Sequence, residues 1–120
     1  MKTTLTKTTM TMNSAEISGT QFSGYVGGQV PVQGFGTVGA YHWYFRARGD
    51  RWSLDVGTPD SSIPDYVDLE GAVWSAAGFW GTWPEAGWMD MDVAVNIIRE
   101  ALAQFLAGTD TWNAPPDFGK

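Results

Sequence analysis

His42 is the only histidine of the chain, and it is the residue on which acid–base chemistry near neutral pH would rest. On a β-strand its side chain shares a face with Tyr44 and Arg46. Asp55, from a partner strand, becomes its diagonal neighbour: the carboxylate could orient the imidazole while Tyr44 and Arg46 steady an anion. No nucleophile completes this set. Ser53 falls four residue pairs along the hairpin from His42, about 14 Å at roughly 3.4 Å per residue, beyond hydrogen-bond reach. A Ser-His-Asp triad inside the hairpin is therefore excluded. A lone histidine and no cysteine also leave neither a His pair nor a Cys/His zinc set, so no metal and no cofactor is expected.

Two further motifs dissolve on inspection. Gly34-Phe35-Gly36-Thr37-Val38-Gly39 satisfies G-x-G-x-x-G, but a dinucleotide fingerprint must open a helix whose N-terminus meets the pyrophosphate. Here an aromatic strand follows within two residues, and the motif reads as a glycine-rich connection. Arg48-Gly49-Asp50 spells the adhesion tripeptide, which turn chemistry already explains. Asp55, Asp65, Asp68, Glu70 and Glu85 could supply a glycosidase pair beside sugar-stacking tryptophans, but the separation of roughly 5 to 9.5 Å that such chemistry needs is not set by sequence.

The element that positions His42, Tyr44, the arginines and Asp55 is legible in residues 41–56, YHWYFRARGDRWSLDV. Folding this stretch at Gly49-Asp50, in a type II′ or I′ turn whose positive φ glycine takes readily, sorts its side chains by face. Arg48 then faces Arg51, Ala47 faces Trp52, Arg46 faces Ser53, Phe45 faces Leu54, Tyr44 faces Asp55, Trp43 faces Val56 and His42 faces Gly57. Trp43, Phe45, Trp52, Leu54 and Val56 become core. His42, Tyr44, Arg46, Arg48, Arg51 and Asp55 share the other face, which holds three of the seven basic residues of an acidic chain.

Elsewhere the chain supplies a frame. Residues 1–14 are threonine-rich and read as a disordered polar leader, with Met10 and Met12 as alternative starts to Met1. From 16 to 38, turn residues recur every few positions, and 21–26 and 29–33 read as outer meander strands, Pro31 arguing for an edge. Residues 66–89 fit a helical stripe or short strands and loops, the latter favoured. Asp90 or Asp92 can cap a helix over about 91–107 with Ala94, Ile97, Ile98, Ala101, Leu102, Phe105 and Leu106 on one face, ended by Gly108. Residues 111–120 read as a polar, proline-broken tail. The expected fold is α+β: a small antiparallel β-meander of four to five strands, its central hairpin at about 41–57, with the C-terminal helix packed on one face. A single domain spans about 15–110.

Composition sets the remaining bounds. Seven tryptophans, four tyrosines and six phenylalanines among 120 residues give ample apolar bulk for one core. The absence of cysteine suits a reducing compartment, and no stretch has the length or apolarity of a signal sequence or a membrane span, so a cytoplasmic location is expected. A formal charge of −6 repels nucleic acid. Between Trp52 and Ile98 there is no lysine or arginine, while eight carboxylates fall in that span, which favours solubility or a basic partner.

These observations point to a small, acidic, tryptophan-rich, non-catalytic protein-binding domain of bacterial or phage origin, acting as an inhibitor or immunity-type antagonist of a larger protein. Its contact residues would be His42, Tyr44, Arg46, Arg48 and Arg51, because arginine and aromatic residues dominate interface hot spots. The partner would be another protein or a second copy, with no direct role for nucleic acid, membrane or metal. Competing readings are a small-ligand or saccharide site on the Trp-rich segment 79–89, using Trp80, Trp83 and Trp88, and a minor enzyme built on His42 and Asp55.

Overall fold

In the computed structural model, which describes residues 7–10, 14–28, 31–58 and 72–119, eight strands lie side by side in chain order. They are β1 (Lys7–Met10), β2 (Ser14–Ser18), β3 (Phe22–Gly27), β4 (Val32–Val38), β5 (Tyr41–Arg48), β6 (Arg51–Gly57), β7 (Ala72–Phe79) and β8 (Trp112–Asn113). All neighbours pair antiparallel except β7 and β8, which are parallel. A short 3-10 turn (Glu85–Trp88) and the helix α1 (Met91–Leu106) intervene between those last two. The fold is α+β with a largely antiparallel meander.

The strand count exceeds the expected four to five, because both ends of the chain contribute. Residues 7–10, read as leader, pair with β2. The tail is not free coil: Trp112 and Asn113 pair with Ala76 and Ala77, and the Trp112 ring lies 6.0 Å from that of Trp52 and 5.3 Å from that of Phe118. Pro31 immediately precedes β4, an interior strand hydrogen-bonded on both sides, where a missing N–H removes no ladder bond. Asp60, Asp65, Asp68 and Glu70, and the beginning of the 66–89 stretch, lie outside the described residues, as do positions 1–6, 11–13, 29 and 30.

The β5–β6 register is the expected one at every pair from His42↔Gly57 to Arg48↔Arg51. Gly49 has φ +67° while Asp50 is not among the positive-φ residues, which selects the type II′ turn. Trp43, Phe45, Ala47, Trp52, Leu54 and Val56 are all buried, in one core with Ile97, Ile98, Ala101 and Leu102 of α1. Phe105 is partly buried beside this core, its ring 5.6 Å from that of Tyr41 and 5.5 Å from that of Trp74. The helix ends as expected: Gly108 has φ +81°, its N–H donates to the Phe105 carbonyl, and the Thr109 N–H donates to that of Gln104, a Schellman closure. Asp90 occupies the N-cap without a side-chain cap bond.

The G-x-G-x-x-G match is strand from Gly34 to Val38, and Gly39, with φ +57°, lies in the turn to β5. Gly36 lies in register between Gly24 and Trp43, all three on the inward face. The indole of Trp43 lies across the two glycines: a Cβ on Gly24 would collide with its Cζ2, and one on Gly36 would come 2.8 Å from its Nε1. That Nε1 donates to the Ser23 carbonyl at 3.1 Å. The glycines are therefore the bed of a core tryptophan, an arrangement that stiffens otherwise weak glycine positions in a sheet.

Candidate functional site

Because α1 and the core occupy the inward face, the outward face of the sheet presents Ser23, Tyr25, Phe35, Thr37, the polar hairpin residues, Val73 and Phe79. A concave part of it lies at the tip of β5 and β6. There a cleft of about 720 Å³ is lined by Arg46, Arg48, Arg51, Ser53, Phe79 and Trp83, with Ala77, Gly78 and the turn residues as floor. The register places the arginines: Arg48 and Arg51 face one another across the strands, and Arg46 is diagonal to Arg51 across Ser53, roughly 7–8 Å away.

Trp83 reaches this group through long-range backbone bonds. The Trp80 N–H donates to the Asp50 carbonyl at 2.8 Å and the Ala86 N–H to the Gly49 carbonyl at 2.9 Å, docking the segment after β7 onto the hairpin tip. The Thr82 N–H donates to Glu85 Oε1 and the Gly81 N–H to Asp117 Oδ1, holding the loop to itself and to the C-terminal segment. The Trp83 indole consequently lies within 3.1 Å of where a Gly49 Cβ would stand, yet the side chain is 76% exposed. Trp83→Ala is therefore expected to change stability by less than about 0.5 kcal/mol in a denaturant titration; a larger loss would make Trp83 a structural clamp instead of a contact residue.

Charge in the cleft is one-sided. Arg51 Nε pairs with Asp50 Oδ1 at 3.2 Å, with side chains 67% and 36% exposed, a surface contact of about 0–1 kcal/mol that exchanges readily. The Arg51 guanidinium also lies 5.2 Å from the centre of the Phe79 ring, a cation–π contact that keeps the arginine extended over the cleft. Arg46 is half-buried, and its Nε is shielded from solvent with no hydrogen-bond partner among the described residues. A desolvated donor without an acceptor costs about 1–3 kcal/mol, and the rest of the Arg46 guanidinium is left to supply the charge at the cleft. Glu100 sits on α1, where its Oε2 accepts from Gln104 Nε2, and is not among the residues lining the cleft.

The other expected contact residues are dispersed. Tyr44 is on the outward face but only 3% exposed, its hydroxyl donating to Gln33 Oε1 at 2.6 Å. His42 lies at the opposite end of β5, four residues from Arg46, and outside the cleft. Trp80 is partly buried against the core. Trp88 is 57% exposed but outside the cleft, so Trp80, Trp83 and Trp88 do not form one stacking platform. Sequence reasoning missed Phe79, whose place beside Arg51 follows from the β6–β7 register. Among the described residues no three His, Cys, Asp or Glu side chains could together hold a metal ion, and no helix is long and apolar enough to cross a membrane.

Compared with known proteins, the chain matches no family model, no curated protein and no solved structure.

Proposed function

We propose that this chain is a non-catalytic binding domain that recognises an acidic protein, acting as an antagonist of the inhibitor or immunity type, with the arginine cleft at the β5–β6 tip as its contact surface. The observation that carries this reading is the convergence of Arg46, Arg48 and Arg51 with Trp83 and Phe79 in one cleft. Arginine and aromatic side chains are the types that dominate interface hot spots, and a positive patch on a chain of net charge −6 favours partners that bring a local negative charge to it. The Arg48–Arg51 repulsion across the strands is a cost that such a partner relieves.

The test compares the tagged chain with an Arg46→Glu, Arg51→Glu double variant in pulldowns from a lysate of the source organism. Proteins held by the parent are expected to be lost from the variant, while its thermal unfolding stays close to the parent's. An unchanged set of captured proteins would remove this face from consideration, and loss of folding together with binding would show the arginines to be structural.

A second reading has one observation in its favour. The cleft volume falls within the roughly 300–1,000 Å³ typical of small-ligand sites, whereas a protein–protein interface covers about 800 Å² per partner. A protein partner would thus fill the cleft with one inserted side chain and make its remaining contacts outside.

A further inference from the structure

On the reading that the arginine cleft is the binding surface, we propose that the group inserted there is a phosphomonoester dianion carried on a flat ring, as on a phosphotyrosyl side chain of the partner protein. Three guanidinium groups line the cleft and Asp50 is the one carboxylate among its lining residues, so about two positive charges face the occupant. A single carboxylate brings one negative charge and two acceptor oxygens. A phosphomonoester brings about −1.5 to −2 at pH 7 and three acceptor oxygens, enough to engage three guanidinium forks at once.

Geometry agrees with the charge count. Arg46, Arg48 and Arg51 rise from three of the four corners of the Arg46–Ser53 and Arg48–Arg51 pairs, and the fourth corner is the small Ser53. Their side chains converge over a floor of Ser53, Ala77 and Gly78 that leaves the volume open. Arg46, half-buried, lines the same volume as the exposed Arg48 and Arg51. The exposed Trp83 flanks the same space, and Phe79, whose ring already carries the Arg51 guanidinium, lies beside it; an aromatic flank suits a planar group attached to the phosphate.

The experiment is isothermal titration of the whole chain at low ionic strength with phenyl phosphate, inorganic phosphate and phenylacetate. Phenyl phosphate is expected to bind at least about tenfold more tightly than either of the others, since it alone combines the dianion with the ring. Arg46→Gln should weaken it at least about tenfold, and the exposed Arg51→Gln, which leaves the half-buried arginine in place, should also weaken it. Trp83→Ala should bring phenyl phosphate down to the level of inorganic phosphate without moving the latter. Equal binding of phenylacetate and phenyl phosphate, no saturable phenyl phosphate binding, or binding indifferent to both arginine variants would each overturn the proposal. Adenosine 5′-monophosphate presents the same dianion beside a ring, so a phosphotyrosyl pentapeptide binding more tightly than it supports the protein-borne source, and the reverse order overturns that assignment. Arginine-dependent capture of proteins without phenyl phosphate binding would leave the binding domain standing and remove only the dianion.

Discussion

Phe45→Ala is expected to lower the free energy of unfolding by about 3–5 kcal/mol, seen as a fall in the denaturant midpoint at unchanged slope. Phe45 has no exposed surface, stands on the inward face of an interior strand, and packs 6.1 Å from the Trp52 ring. It carries no polar atom, so truncation forfeits the transfer energy of the whole ring and leaves a cavity that the paired strands cannot close. Trp52 is an instructive control. It is equally buried, but its Nε1 has no hydrogen-bond partner among the described residues. Trp52→Phe removes that stranded donor together with some volume, and these effects oppose one another. It should therefore change stability by less than about 1.5 kcal/mol. A loss below about 1 kcal/mol for Phe45→Ala would mean that the faces of the hairpin are reversed.

The hairpin was legible because two local constraints agree there: glycine at the turn fixes the register, and a strict period of two then assigns each side chain to a face. The helix was legible for a similar reason, its apolar stripe ending at a glycine that closes it. Sequence reasoning failed where a long-range contact decides the local structure. Gly34 and Gly36 read as a connection because strand glycines are individually unfavourable; the Trp43 indole lying across Gly24 and Gly36 makes Gly36 suitable, while Gly34 stands close to the β3 backbone at Tyr25 and Val26. The tail read as coil because Pro115 and Pro116 break it, while Trp112 and Phe118 find partners across the sheet that no local pattern announces. Tyr44 shows a different limit. Alternation assigned it correctly to the outward face, but alternation does not announce that it is buried there, its hydroxyl donating to Gln33 of β4.

The candidate site divides along the same line. Arg46, Arg48 and Arg51 lie on one two-stranded unit, so their grouping follows from register alone. Trp83 joins them only because the backbone at Trp80 and Ala86 bonds to Asp50 and Gly49, and no spacing in the sequence encodes that docking. Trp80 and Trp88 belong to the same segment as Trp83 but emerge from it elsewhere, which is why a tryptophan-rich stretch did not become a tryptophan-lined site. The arginines and one tryptophan, drawn from what had read as two competing sites, meet in a single cleft.

Gly36→Ala should be strongly destabilising despite adding only one methyl group. In a strand interior, exchanging glycine for alanine ordinarily gains about 0.5–1 kcal/mol by restricting the unfolded chain. At Gly36 the new Cβ would run into the Ser23 carbonyl oxygen, part of the neighbouring backbone, and would stand 2.8 Å from Trp43 Nε1. The indole N–H of Trp43 donates to that same carbonyl, so relief of the clash must either part β3 from β4 or break the bond. Overpacking costs about 1–3 kcal/mol and the lost hydrogen bond about 0.5–1.5 kcal/mol, which, set against that gain, leaves an expected net loss of about 0.5–4 kcal/mol. Gly34→Ala separates this effect from strand propensity, since it lies on the same strand but its Cβ would meet the Tyr25 carbonyl only at 2.8 Å and no indole. It should cost clearly less than Gly36→Ala in the same denaturant titration. The Trp43 indole N–H resonance in the proton spectrum should move in Gly36→Ala and stay in place in Gly34→Ala. Equal losses at the two positions, or a Trp43 signal unmoved by Gly36→Ala, would mean that the glycines do not serve as the bed of the tryptophan.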